Sequence, residues 1–265
     1  MTAPARGAAP FVAVLAAGLL AACGGAEESS STSTKASSTS EADESARSDA
    51  ESRAAESSDA EADTSEAPDG PAQEELTKQQ IVDALPEESD APRDYVEDPK
   101  INPDAESTRE TDPESCQAIY LDSPEALKWK KEHLTETDGV RYTEPGDAAG
   151  RPGVSIFVAT YDERVPKKFF DEAGETLADC QDFNERNDPE GRWTEKRTRN
   201  VNAPAIGDQS YAHRVGLAEL DMAIDQLWVR SGHNIINIRV LTDNAGHSEE
   251  TMTELAEGVL EDLEG

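Results

Sequence analysis

The sequence predicts an α+β fold: a twisted antiparallel sheet with helices packed on one face, preceded by a signal peptide and a disordered linker. A β-branched and aromatic run at residues 154–161 is apolar on both faces, as expected of a central strand. Further strand-like runs follow at 210–215, 226–230 and 234–241, the last two joined by a compact turn. Helical periodicity comes before and after these strands, an order that favours α+β over alternating β-α units.

The N-terminus has the features of an export signal. Arg6 is the only charge before an apolar run at residues 11–22, which is too short to span a bilayer comfortably. Residues 20–23, Leu-Ala-Ala-Cys, resemble the lipobox of bacterial lipoproteins. The resemblance implies a diacylglyceryl thioether on Cys23, cleavage before it, and acylation of the new amine, for example by palmitate. An ordinary secretory signal, with Cys23 present by chance, is the alternative.

Composition divides the chain into three segments. Residues 1–22 are predicted to be the lipoprotein signal peptide, and residues 23–73 the lipidated Cys23 with an acidic linker rich in Ser, Glu and Ala. The linker has almost nothing to bury, so ordering entropy keeps it disordered. Residues 74–265 are predicted to form the folded domain. Two or three acyl chains hold a protein firmly at a bilayer, so the predicted location is the extracytoplasmic face of the cell membrane.

The formal net charge is −33, from 57 acidic and 24 basic residues. This balance argues against nucleic acid and anionic phospholipid head groups as partners, because both require a cationic surface. The acidic surface either attracts cations or a basic partner, or only keeps the protein soluble. Of the three cysteines, Cys116 and Cys180 remain once Cys23 is lipidated, and in an oxidising compartment they are predicted to pair. A free thiol and an intermolecular bridge are the alternatives.

Capping residues and apolar spacing predict the first two helices. Thr77 caps the first, whose apolar positions include Ile81 and Val82 and which ends at Pro86. The second is predicted over residues 123–134, with a serine cap and a proline in its first turn.

Two further helices flank the later strands. Residues 166–183 have helical apolar spacing that places Cys180 on the buried side of the last turns. The polar segment 184–209 follows, with a turn at residues 188–191. Ser248 is predicted to cap the last helix, whose apolar residues form one stripe.

The order of these features resembles a known family. After the lipobox and polar linker come the motifs VSIF at 154–157, ADC at 178–180, IGDQS at 206–210 and DQLWVRSG at 225–232. This pattern resembles the extracytoplasmic PknH-like sensor domain of actinobacterial receptor kinases and its free-standing lipoprotein relatives. The resemblance implies a twisted antiparallel sheet backed by helices, with a groove for an unknown ligand. Members often have two disulfides, whereas this chain can form one, and signalling through an attached kinase is not expected.

No catalytic constellation is recognised. The sequence lacks a Gly-x-Ser-x-Gly elbow, a His-Glu-x-x-His helix, a phosphate-binding Gly-x-x-x-x-Gly-Lys loop and Cys-x-x-Cys. The four histidines are scattered: His213 is expected to be a packing or surface residue of a strand, and His233 lies in a hairpin turn. Residues 243–246 are predicted to be a turn and not a calcium loop. Trp193 and Trp228 are predicted to pack in the core, with stacking on a sugar or lipid as the alternative.

We therefore predict no catalytic residue, no cofactor-binding residue and no metal ligand, and we consider three functions. The leading hypothesis is a non-enzymatic domain that binds or senses a small ligand, a wall fragment or an envelope protein, with an apolar pocket between sheet and helices. An interaction or structural protein of the envelope would instead present an exposed apolar patch. A hydrolase would need a histidine and carboxylates converging in one cleft.

Overall fold

The computed structural model describes residues 70–101, 107–146 and 150–265. The predicted signal peptide, Cys23 and most of the predicted linker lie outside these ranges. The strands are β1 (Val96–Glu97), β2 (Glu110–Asp112), β3 (Leu134–Thr143), β4 (Gly153–Tyr161), β5 (Asp182–Arg186), β6 (Thr194–Asn200), β7 (Gln209–Leu217), β8 (Met222–Ser231) and β9 (Asn234–Asp243). The α-helices are α1 (Lys78–Ala84), α2 (Pro124–His133), α3 (Lys167–Thr176) and α4 (Glu249–Glu264), with 3₁₀ helices at Pro71–Gln73, Glu114–Tyr120 and Ala218–Leu220.

The nine strands form one open sheet in the order β1-β3-β4-β9-β8-β7-β6-β5-β2. Neighbouring strands run antiparallel throughout. Strands β5 to β9 follow one another as a meander, and the pairing of β4 with β9 joins this meander to the β3–β4 hairpin. These pairings confirm the predicted α+β class with an antiparallel sheet. Within the described ranges, no helix combines the length and apolar character needed to cross a bilayer.

Each face of the sheet has an apolar core cluster, and helices pack against both. Because side chains alternate along a strand, Val154, Ile156 and Val158 of β4 lie on one face, here called face A, and Ala159 and Tyr161 on the other, face B. Helices α1 and α4 pack on face A, whereas α2, α3 and the 3₁₀ helix Glu114–Tyr120 pack on face B. Helices were expected on one face only, but strands that are apolar on both sides need two covering layers.

Helix α1 begins and ends as its sequence predicts. Thr77 and Gln80 form a reciprocal capping box, and the helix stops before Pro86. The predicted apolar face is right for Ile81, which is fully buried, but wrong for Val82, whose side chain is 45% exposed. A residue next to a buried position on a helix points about 100° away from it, so Val82 faces solvent.

Helix α4 buries the predicted apolar stripe, but Ser248 does not cap it through its side chain. The Ser248 hydroxyl instead donates a hydrogen bond to the carboxylate of Asp225. Asp225 also pairs with Arg214, and both side chains are buried. The serine therefore helps to satisfy a buried ion pair, which competes with capping for its hydroxyl.

The polar strands and the end of α3 differ from the prediction. Helix α3 ends at Thr176, and Phe183, predicted at its end, lies in β5. The predicted turn at residues 188–191 is present, where the Gly191 amide donates to Asp188 O. The flanking strands β5 and β6, and also β3, were not predicted, because their side chains are mostly polar and ladder hydrogen bonds define them.

The predicted disulfide joins Cys116 in the 3₁₀ helix Glu114–Tyr120 to Cys180, which follows α3. Both cysteines are fully buried in the face B core. The bridge fixes the two covering segments to each other on that face.

The start of the described chain is bound to the β8–β9 turn. Gln73 O accepts from the His233 amide at 3.1 Å, and Ala72 O accepts from the Asn234 side chain at 2.9 Å. Gly232 in this turn has φ +57°, and a Cβ there would lie 2.0 Å from Gln73 O. These contacts hold residues 72–73 against the central hairpin.

Candidate ligand-binding site on face B

A polar patch lies on face B among the central strands. Its members are His213 on β7, Gln226 and Trp228 on β8, and Asn237 and Arg239 on β9. In the sheet register, His213 is opposite Gln226, Gln226 is opposite Arg239, and Trp228 is opposite Asn237. Cross-strand partners have Cβ atoms about 5 Å apart, so these five side chains form one contiguous surface.

Arg239 is the charged residue of this patch. Its Nε donates to Asn237 Oδ1 at 2.5 Å, and its guanidinium carbon lies 4.9 Å from the centre of the Phe157 ring and 5.8 Å from that of Trp228. Its Nη atoms have no hydrogen-bond partner within residues 70–101, 107–146 and 150–265, and no carboxylate of these ranges lies within 4.0 Å. Burial and the nearby charge of Arg109 lower the pKa of Arg239 to about 10, so it is cationic at neutral pH.

Phe157 is positioned by a glycine on the neighbouring strand. Gly139 is opposite Phe157 in the β3–β4 ladder, and a Cβ on Gly139 would lie 2.9 Å from Phe157 Cδ1. The missing side chain lets the Phe157 ring lie across β3, because the contact is too close for any larger residue. This ring then supports one side of the Arg239 guanidinium, a cation–π arrangement.

Several buried polar atoms of the patch lack partners in the described part of the chain. They are both ring nitrogens of His213, Oε1 of Gln226 and Nε1 of Trp228. These three residues are at most 7% exposed. A buried polar group without a hydrogen bond costs about 1–3 kcal/mol, so three such residues at adjacent sheet positions are unusual in a core built for stability alone.

His213 is held neutral in this setting. It is fully buried, stacked on Tyr211 with ring centres 5.1 Å apart, and touched edge-on by Tyr120 at 5.6 Å. Burial, and then the positive charges of Arg109 and Arg239, lower the pKa of its imidazole from 6.5 to about 3. At physiological pH the ring is therefore uncharged and offers one donor and one acceptor.

A network of charged side chains borders the patch. Arg109 lies 3.7 Å from the centre of the Tyr120 ring and donates to Asp122 at 2.8 Å. Tyr120 donates its hydroxyl to Glu185 at 2.6 Å, and Lys130 donates to Asp122 at 2.7 Å. Although burial opposes it, the charges of Lys130 and Arg109 hold the pKa of Asp122 below its ordinary value. Arg109 Nε has no hydrogen-bond partner in the described chain, but the ion pairs of Arg109 with Asp122 and Glu185 fix it beside the patch.

The charges of this region sum to a positive value. Arg109, Lys130 and Lys196 are paired with only two carboxylates, those of Asp122 and Glu185. Arg239 adds a further cation that has no carboxylate partner in the described chain. The patch and its border thus carry two more positive than negative charges, in a chain whose overall charge is −33.

Cavities also lie away from the patch in the described part of the chain. One of about 740 Å³ lies between α3 and strands β6 and β7, and is lined by Lys167, Asp171 and Glu175 as well as apolar residues. Another of about 710 Å³ lies between the end of α1 and α4. A smaller one of about 270 Å³ lies beside Arg214 and Asp225. The first cavity lies between sheet and helix, where the ligand pocket was predicted, but its three charged side chains make it less apolar than predicted.

The predicted site residues are dispersed. Cys23 lies outside the described residues, while Cys116 and Cys180 are joined in the disulfide. His213 is in the polar patch, whereas the His233 ring contacts Tyr161 O at the β8–β9 turn.

The structure contradicts the prediction for Trp193 and agrees with those for Trp228 and for the turn at residues 243–246. Trp193 is 40% exposed and stacks on the Arg186 guanidinium, so its predicted core role is wrong, whereas Trp228 is buried as predicted. Asp243 Oδ1 accepts from two backbone amides of its own turn, which agrees with the predicted turn. No group of three or more His, Cys, Asp or Glu side chains in the described ranges is placed to hold a metal ion.

One histidine does contact carboxylates. His133 Nδ1 lies 2.8 Å from Asp162, and its Nε2 lies 3.8 Å from Glu163. The ring stacks on Trp129, and no serine, threonine or cysteine side chain of the described ranges hydrogen-bonds to it. This pair therefore lacks the adjacent nucleophile that a hydrolytic triad requires.

Comparison with known proteins bears on the fold. No protein-family model matches the chain, and no curated protein matches it. Among solved structures, the extracellular domain of PknH from Mycobacterium tuberculosis matches with a TM-score of 0.55 and 10% identity, over 72% of this chain and 98% of that chain. The fold is that of the PknH extracellular domain. An uncharacterized protein from Mycobacterium smegmatis also aligns, at 10% identity over 73% of this chain and 98% of that chain, with a TM-score of only 0.34.

Sequence reasoning missed Arg239 and its surroundings. A signal was present, since Asn237 and Arg239 alternate with Ile236 and Ile238 in the run 235–241, which is otherwise apolar. Polar residues at every second position of a central strand indicate one polar face. The partners that complete the patch come from strands distant in sequence, so only the sheet register brings them together.

Proposed function

We propose that this chain is a lipid-anchored extracytoplasmic protein whose α+β domain binds a ligand on face B without chemically changing it. The observation that supports this most directly is the polar patch, where His213, Gln226 and Trp228 present buried polar atoms that lack partners in the described chain. Such atoms raise the free energy of the unliganded domain, and a ligand that hydrogen-bonds to them would recover it.

A non-enzymatic role fits the chemistry of the site. The imidazole of the patch, His213, is fully buried and has a pKa of about 3. A general base works best with a pKa near the operating pH, and this imidazole is too weak a base for that role. The fold shared with the extracellular domain of PknH also favours a domain that acts outside the cytoplasm.

The anchor belongs to the same proposal. Cys23 is the residue to which a diacylglyceryl group would be attached, with the acidic linker of residues 23–73 between the membrane and the domain at 74–265. The first described residues bind the β8–β9 turn at Gln73, so the linker would join the domain at a fixed point of the central sheet. Mass analysis of the natural protein should show Cys23 as an acylated N-terminal residue. An unmodified Cys23 would contradict the anchor.

Native mass spectrometry of the full-length protein, extracted in detergent from its own membrane, tests ligand binding. We expect an adduct of defined mass that is released on denaturation. The matched variant is Trp228→Phe, which removes one indole N–H of the patch while keeping an aromatic ring, and we expect it to retain less of the adduct. A protein that carries no adduct, and whose melting temperature no envelope extract raises, would contradict a ligand-binding function.

A further inference from the structure

Arg239 differs from the other shielded cations of the domain. Among the described arginines and lysines that are at most about a third exposed, each of the others has a carboxylate within 4.0 Å. The chain has 57 acidic residues to choose from, yet none in the described ranges lies within that distance of Arg239. A shielded charge without a counter-ion is costly, so this arrangement is unfavourable for stability.

The surroundings of Arg239 leave its hydrogen-bonding edge free. Phe157 and Trp228 contact the guanidinium through their rings, and Asn237 accepts a hydrogen bond only from the Nε of Arg239. Both Nη groups remain as donors, and the side chain is partly exposed. A guanidinium held in this way presents a planar pair of N–H groups, the geometry that recognises carboxylate and phosphate oxygens.

Neighbouring charges add to this preference. Arg109 is close enough to lower the pKa of Arg239 by its positive charge. The Gln226 side chain, opposite Arg239 in the sheet register, is neutral and adds no negative charge. Asp122 is near enough to act on Arg239, but it is already bound by Arg109 and Lys130.

We propose that Arg239 is the anchor for a carboxylate or phosphate group of the ligand bound on face B. This inference rests on the proposed ligand-binding function and names the chemical class of the ligand. The anion supplies the counter-charge that the protein lacks at this position. The adjacent Phe157 and Trp228 rings contact the part of the ligand next to the anionic group.

Binding of simple anions to the full-length chain in detergent tests the anchor. Inorganic phosphate and acetate are titrated separately by calorimetry at low ionic strength, while NMR follows the arginine Nε–H and indole N–H signals. We expect saturable binding of at least one anion, weakened about 10- to 100-fold in Arg239→Gln, because a charge-assisted pair of hydrogen bonds is lost. Tighter binding of phosphate identifies a phosphoryl ligand, and tighter binding of acetate a carboxylate ligand.

Two further variants make the test specific. Arg199→Gln is the matched control, because Arg199 is an exposed arginine of the opposite sheet face, and we expect it to leave anion binding unchanged. Arg239→Lys keeps the charge without the planar fork and should bind several-fold more weakly than the natural chain. The Arg239→Gln variant should melt at the same or a higher temperature, because it removes an unpaired charge, whereas loss of a purely structural arginine would lower it.

The outcomes separate this inference from the proposed function. Equal anion binding by Arg239→Gln and the natural chain, or equal losses in Arg199→Gln and Arg239→Gln, would overturn the anchor. An uncharged adduct in the native mass spectrum would overturn the anchor and leave ligand binding intact. No adduct together with no saturable anion binding would overturn both.

Discussion

Replacing His213 by phenylalanine removes a titrating group and two unpartnered nitrogens while keeping an aromatic ring between Tyr211 and Tyr120. In the unfolded chain a histidine has a pKa of about 6.5, whereas burial lowers the pKa of His213 in the folded domain to about 3. Between these two values the unfolded chain binds the proton and the folded domain does not. Stability contributed by neutral His213 is therefore complete above about pH 6.5 and is lost progressively as the pH falls towards 3.

The size of the effect follows from proton linkage. A shift from 6.5 to about 3 gives a loss of about 2 kcal/mol in the free energy of unfolding between pH 7.5 and pH 5. The many carboxylates of this chain also titrate as the pH falls, but they do so alike in the natural chain and in His213→Phe. The difference between the two proteins isolates the histidine.

Urea unfolding of both proteins at pH 7.5, 6 and 5 measures this difference. At pH 7.5 we expect His213→Phe to be at least as stable as the natural chain, because two unpartnered buried nitrogens are gone. Its advantage should grow by about 2 kcal/mol at pH 5. The second variant, His213→Gln, packs differently but should show the same increase in stability relative to the natural chain between pH 7.5 and pH 5. A difference that stays constant from pH 7.5 to pH 5 in both variants would refute a buried neutral imidazole.

Gly232→Ala should destabilise the domain by about 2 kcal/mol or more. Residue 232 has a left-handed backbone conformation, which alanine disfavours, and the new Cβ would lie 2.0 Å from Gln73 O. Gly174→Ala, in α3 with no atom near its Cβ position, should be neutral or stabilising by up to about 1 kcal/mol, and equal effects in urea unfolding would contradict the contact at the turn. Replacing Cys116 and Cys180 together by alanine should lower the free energy of unfolding by about 4 kcal/mol, given the 64-residue separation. Free thiols in the natural protein, detected by alkylation and mass spectrometry, would contradict the bridge.

The apolar elements were predictable, and the polar strands were not. The run at 154–161 and the last helix are set by side chains that must be buried, so the sequence pattern is enough to locate them. Strand β6 reads Thr-Glu-Lys-Arg-Thr-Arg-Asn and has no apolar residue. It is a strand because β5 and β7 supply its ladder partners on both sides. Such pairing is a long-range property that a local pattern does not reveal.

The candidate site was likewise predictable only in part from the sequence. Its cations and polar atoms were visible as residue types, but their isolation from carboxylates was not. Arg239 and Asp122 are far apart in sequence yet lie near enough to interact, and Asp122 is already bound by Arg109 and Lys130. Only the folded arrangement shows that the nearby carboxylate is occupied while Arg239 is left without one.

The strongly acidic composition and a cationic site act over different distances. In physiological salt, charges separated by more than about 8 Å are largely screened from each other. An extended polyanion, such as nucleic acid or an anionic bilayer surface, must approach a broad acidic surface and is repelled by it. A small anion that reaches face B responds mainly to Arg239 and Arg109, where positive charge exceeds negative. The net charge of −33 therefore selects against large anions while the patch remains suited to a small one.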